Sequence, residues 1–158
     1  DFFDLKAGRQ IYGGFSGVET TLEERNPDPT ENGCVLEGTQ TNNVIVKAGF
    51  GATSGSTALD GFTLRGATQT AIQCGDGGDP RSPALRNLHV INNSSSSGPG
   101  LQINLDSAPV VEDITFESNT SSGDGGAVYC DRANETPCFS VAPSPSTNPP
   151  TAAAGPWR

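Results

Sequence analysis

The chain has no methionine, one tryptophan and one histidine, and its 18 acidic residues outnumber nine lysines and arginines, giving a net charge of −9. Such an acidic chain excludes nucleic acid and anionic membrane surfaces as partners. No apolar run is long enough to span a bilayer, so membrane insertion is not expected. No segment carries apolar residues at helical spacing over a useful length, so no helix is expected either. There is no CxxC pair and His89 stands alone, which leaves structural zinc without a ligand set, and no cofactor is expected. A start at Asp1 with neither methionine nor leader reads as a processed or partial chain. Hydrophobic residues make up only 33%, against 20 glycines and 12 prolines. That composition suits either disorder or a narrow solenoid in which each coil buries few side chains.

A repeat decides between the two. LDGFTLRGA from Leu59, LRNLHVINN from Leu85 and VEDITFESN from Val111 superpose at an offset of 26, twice over (85 − 59 and 111 − 85). Apolar residues share columns: Leu59, Leu85, Val111; Phe62, Leu88, Ile114; Leu64, Val90, Phe116. Polar residues alternate with them, which marks strands with one buried face. LQINL from Leu101 and AVYCD from Ala127 keep the same period. Gly-, Ser- and Asn-rich runs at 92–100 and 118–126 supply the bends. A helix-free unit of this length predicts one coil of a parallel β-helix, each strand pairing with its counterpart one period on.

Further strands are expected within 9–15, 34–38, 43–49 and 71–75, with longer loops at 17–33 and 49–57. The offset from Ala71 to Leu101 is 30 (101 − 71), which is assigned to an insertion at 75–83. The β-helix domain is placed at 1–138. Residues 139–158 form a Pro/Ser/Thr-rich extended tail or linker.

Four cysteines in such a chain point to an oxidising compartment. Cys130 and Cys138 bracket a short loop that a disulfide can close. Cys74 and Cys130 share a column, but Asn104 is placed between them, and two rungs span about 9.6 Å, beyond the roughly 7 Å limit for a disulfide. The expected pairs are Cys34–Cys74 and Cys130–Cys138.

The columns carry two short motifs, Phe116-Glu117-Ser118-Asn119 (FxxN) and Gly125-Gly126-Ala127-Val128 (GGA followed by an aliphatic residue). In this order the chain resembles the surface β-helix proteins that include the chlamydial polymorphic membrane proteins and bacterial right-handed parallel β-helix repeat proteins. Ile11 to Pro29, then VLEG and LDGFTLRG, resembles their entry segment, and the likeness covers roughly residues 5 to 131. It implies a right-handed parallel β-helix at a cell surface. The preceding coil has VINN and GPGLQ in the equivalent places, so each motif occurs once. Phe116 is expected to fill the coil, and Asn119 to stack on Asn93, one period earlier, in a corner ladder.

β-helices also carry polysaccharide lyases and hydrolases, which need positioned carboxylates or a cationic base. The candidate cluster is the column Asp60, Arg86, Glu112, with Asp113 alongside; the alternative is an outward-facing ion-pair ladder. His89 lies on the same face, without an obvious cleft. Asp76 and Asp79 in GDGGD are candidates for calcium, against a plain turn. Glycosylation is considered at Asn134, Ser144, Ser146, Thr147 and Thr151.

Together these features point to a noncatalytic, secreted or cell-surface module of structural or adhesive role. Its expected partners are a second copy, joined head-to-tail into a filament through Phe139, Val141 or Trp157 of the tail, and a cell-surface glycan or host protein. A carbohydrate-active enzyme or a polysaccharide-binding module on the same fold is the alternative.

Overall fold

The structure is a computed structural model describing residues 2–38, 44–76, 78–131 and 137–141. Its strands are β1 (Phe3–Leu5), β2 (Gln10–Tyr12), β3 (Val35–Glu37), β4 (Val44–Ala48), β5 (Thr53–Arg65), β6 (Thr70–Cys74), β7 (Ser82–Ile91), β8 (Ser94–Ser95), β9 (Leu101–Asn104), β10 (Val110–Glu117), β11 (Thr120–Ser121), β12 (Val128–Asp131) and β13 (Ser140–Val141). Every pairing between these strands is parallel. Five strands form one sheet in the order β1-β4-β6-β9-β12, and six form another, β13-β10-β7-β5-β2 with β3 also on β5. A two-stranded ribbon, β8-β11, makes a third side. The result is a β-solenoid of about 4 turns with about 26 residues per turn, as the repeat predicts. One 3-10 turn at Leu22–Glu24 is the helical content of the described residues.

The columns of the repeat pair in register: Leu59 with Leu85 with Val111, Phe62 with Leu88 with Ile114, Leu64 with Val90 with Phe116. Leu59, Leu64, Leu85, Leu88 and Val90 are buried, together with Val46, Ile72, Leu101 and Ile103 from the facing sheet. Val111, Ile114, Phe116 and Val128 in the last described coil are only partly buried against them.

The left-handed corners explain much of the polar sequence. Gly61, Asn87 and Asp113 occupy one column with φ of 84°, 47° and 50°, and Gly66, Asn92 and Ser118 another with 79°, 55° and 51°. Both columns keep the period of the repeat. Glycine enters this region freely, and Asn and Asp tolerate it better than other residues because their short side chains bond locally. The first of these columns is also where coil one is interrupted. Gln10 pairs with Ala58, an offset of 48, whereas Val35 pairs with Thr63, an offset of 28. The difference, 20 (48 − 28), is the length of chain inserted at that corner.

Several expectations need correction. Ile72 pairs with Leu101 and Leu101 with Val128, so the offsets in this sheet are 29 and 27 rather than 30 and 26. Cys74 and Cys130 do share a column, but Ile103 stands between them, not Asn104. The expected loop at 49–57 already contains the start of β5, whose Thr53 pairs with Ser82 before the register shifts towards Ala58. At the start of the tail, Ser140 and Val141 pair as β13 with Val110 and Val111 of β10.

Cys130 and Cys138 are bridged, with Cα atoms 6.2 Å apart. Cys34 and Cys74 are free, which overturns the expected Cys34–Cys74 bridge. The cause is topological: Cys34 leads into β3 of the six-stranded sheet, whereas Cys74 closes β6 of the five-stranded one. Cys34 Sγ instead accepts a hydrogen bond from Gly14 N at 3.2 Å.

Candidate functional site

The inserted loop lies over the six-stranded sheet and is held from within. Glu19 accepts hydrogen bonds from Ser16 N, Ser16 Oγ, Gly17 N and Val18 N, and the two from Ser16 do most to hold its carboxyl down at about 2. Glu24 is lowered chiefly by Thr20 N, and Asp28 by the Thr30 hydroxyl. Arg25 then reaches inward: its Nη2 lies 2.8 Å from Asp60 Oδ1, its Nη1 donates to Gly13 O, and its guanidinium stacks 5.2 Å from the Tyr12 ring. A side chain at Gly61 would put its Cβ 2.8 Å from Arg25 Nη1, so the corner glycine also leaves room for the arginine.

The candidate cluster is therefore divided. Asp60 is only 5% exposed and bound by Arg25 and by Asn87 Nδ2, not by Arg86. The expected outward ladder of three charges is corrected to one outward pair, Arg86 Nε to Glu112 Oε2 at 3.1 Å, above a buried pair. The sequence hid this because Asp60 and Arg86 do occupy one column; the loop that captures Asp60 is not part of the repeat. Asp113 stands exposed at its corner. His89 Nε2 lies 3.0 Å from Glu117 Oε2. Pro27, Asp28 and Pro29 of the loop wall a cleft of about 360 Å3 whose floor includes Asn87, His89, Asp113 and Thr115. No cleft beside His89 is legible in the sequence, because loop and sheet meet only in the fold.

The asparagine column does join its rungs. Asn93, 1% exposed, accepts from Ala67 N through Oδ1 and donates through Nδ2 to Leu64 O, Ile91 O and Asn119 Oδ1. Asn119 Oδ1 also accepts from Asn93 N, and its Nδ2 donates to Val90 O. Each asparagine thus caps the backbone of the coil below it. Phe116 packs on Gly100, whose hydrogen leaves space for the ring.

The outer face of the five-stranded sheet was not singled out from the sequence. There Asp4, Lys47, Gln73, Gln102 and Tyr129 pair in one register. Asp76 faces Lys47 at 3.4 Å, and its backbone forms an antiparallel bridge with Asp79, so the first carboxylate of GDGGD is ion-paired. No group of three or more His, Cys, Asp or Glu suited to a metal occurs among the described residues. Asn134, Ser144, Ser146, Thr147, Thr151 and Trp157 lie outside the described residues; Phe139 is exposed.

Residues 113–131 match the family model of the Chlamydia polymorphic membrane protein (Chlamydia_PMP) repeat. The segment similar to this repeat lies within the β-solenoid. The matched segment contains both FxxN and GGAV, the motifs on which the resemblance rests. In the fold they are the end of β10, the Asn119 corner and the entry to β12. No curated protein and no solved structure matches the chain. No helix among the described residues is long and apolar enough to cross a membrane.

Proposed function

We propose that the chain is a noncatalytic, extracellular surface module, a β-solenoid rod with a structural or adhesive role. The observation that carries this reading is the use of the candidate catalytic charges inside the protein. Asp60 is buried under Arg25, and Arg86 is paired with Glu112, so the column offers no free acid–base pair facing a substrate. The surface-protein repeat at 113–131 supports the same placement. Incubation with acidic and neutral polysaccharides, followed by unsaturated products and reducing ends, should give no turnover. Turnover that disappears in Arg86→Ala would replace this reading with the lyase or hydrolase alternative.

Head-to-tail assembly is the second reading, favoured by the half-exposed interior of the last described coil. Val111, Ile114, Phe116 and Val128 are left partly open where their counterparts one rung below are sealed. Open strand edges of this kind pair with further chain. Filaments by microscopy at high concentration, lost on deleting 139–158, are the expected result; a chain that stays monomeric removes the filament.

A further inference from the structure

The outer face of the five-stranded sheet carries a row of hydrogen-bonding side chains that the protein leaves unused. Among the described residues, the side chains of Gln73, Gln102, Asn104, Tyr129 and Asp131 make no hydrogen bond or ion pair with one another or with neighbours. Gln73 Oε1 is itself buried without a partner, so the amide is not spent on the protein's own hydrogen bonds. These five residues line a cavity of about 440 Å3, and Gln73 continues in register to Lys47 in a second cavity of about 520 Å3 beside Phe2 and Phe50. Asp76 lines both. From Asp4 to Tyr129 the row has four rung steps, roughly 19 Å at about 4.8 Å each.

We propose that this groove binds an uncharged, β-linked glycan lying along the solenoid axis, its successive sugars in step with successive rungs. The inference rests on the surface-module reading and names its ligand. A rung step is close to the length of one extended pyranose unit, so each amide meets hydroxyls of one sugar. Gln and Asn offer a donor and an acceptor together, which is what vicinal hydroxyls need. Tyr129 supplies an aromatic face and a free phenol at one end. Its position is set by the glycines of two turns: a Cβ at Gly98 would come within 2.6 Å of Tyr129 Cβ, and one at Gly125 within 2.9 Å. Gly125 belongs to the GGAV motif, so the motif's turn seats the ring.

Charge narrows the class. Lys6 is paired with Asp4 and Lys47 with Asp76, Arg81 is turned to the Ala48 and Asp76 carbonyls, and Asp131 adds a carboxylate, so the lining carries no net charge in a chain of net charge −9. A sulfated or uronate-rich chain, or a nucleic acid, finds no net positive charge here to hold it. An extended peptide would seek a strand edge rather than the face of a sheet.

Calorimetric titration of the full chain with cello-, xylo- and N-acetylchito-oligosaccharides tests the assignment. Saturable binding of at least one is expected. Tyr129→Ala should weaken it by about tenfold and Gln102→Ala by about three- to tenfold, while Arg86→Ala on the other face leaves it unchanged. Tyr129→Phe, which keeps the ring, should lose less than Tyr129→Ala, and circular dichroism checks that each variant is folded. No binding to any neutral oligosaccharide overturns the proposal, as does binding only to sulfated chains, or binding lost in Arg86→Ala but kept in Tyr129→Ala. Cell adhesion that persists without glycan binding overturns the groove and leaves the surface-module reading standing.

Discussion

The two broad outer faces of the solenoid treat their polar residues in opposite ways. On the six-stranded sheet, Asp60, Arg86, His89, Glu112 and Glu117 all have partners, and an inserted loop covers part of the surface. On the five-stranded sheet, Gln73, Gln102 and Tyr129 stand in register without one. Two sources make the difference: Arg86–Glu112 and His89–Glu117 pair between β7 and β10 of the repeat, and the insertion at one corner of the first coil brings Arg25 onto Asp60. Part of one face has become internal structure, and the other keeps amide and phenol groups that the protein does not use.

The sharpest test of that contrast is Arg25→Ala. The Arg25 and Asp60 side chains are 9% and 7% exposed, so removing the cation strands a buried carboxylate. The expected loss is about 3–5 kcal/mol in urea denaturation. Gln102→Ala on the open face should cost no more than about 0.5 kcal/mol, and Arg86→Ala about 1 kcal/mol or less. Equal losses at Arg25 and Gln102 would erase the distinction between the faces.

Next in size is the asparagine corner. Asn93→Ala leaves the Ala67 N–H and the Leu64 carbonyl without their partner, for a loss of about 1–3 kcal/mol. Asn119→Ala, one rung on and less buried, should lose less. A larger loss at Asn119 would place the weight of the ladder at the wrong end.

Much of this fold is legible in the sequence because a solenoid writes its tertiary contacts as a period. Leu59, Leu85 and Val111 stack because identical columns are neighbours in space. The register of the facing sheet was harder to read, because the offsets of 29 and 27 between Ile72, Leu101 and Val128 have the same sum as 30 and 26. The free thiols and the captured Asp60 were out of reach. Both depend on where the aperiodic segment 13–34 settles, and no column specifies that. The thiols provide a direct check. Native alkylation should modify Cys34 only, since Cys74 is sealed in the core, where burial pushes its thiol up to about 12. Rapid labelling of Cys74 would mean that the two sheets part more readily than this packing allows.

The smallest expected effect is a response to acid confined to the strapped face. Glu19, Glu24 and Asp28 are all lowered by hydrogen bonds within the inserted loop. A carboxyl lowered in the folded state stabilises that state above its unfolded value, and the contribution is lost as pH falls through the folded value. For Glu19 the window runs from the ordinary value of 4.5 down to about 2. Protonation there weakens the acceptor that gathers the amides of Ser16, Gly17 and Val18, and the loop should open before the coils do. The amide and phenol groups of Gln73, Gln102 and Tyr129 do not titrate in that range, so β9 should keep its protection. Hydrogen exchange followed by mass spectrometry, with pH stepped from about 6 to about 2 and rates corrected for intrinsic pH dependence, should show protection lost first in 16–30 and retained in Leu101–Asn104. Loss in both segments at the same pH would mean that the strap and the coils unfold as one unit, and that the two faces are not independent.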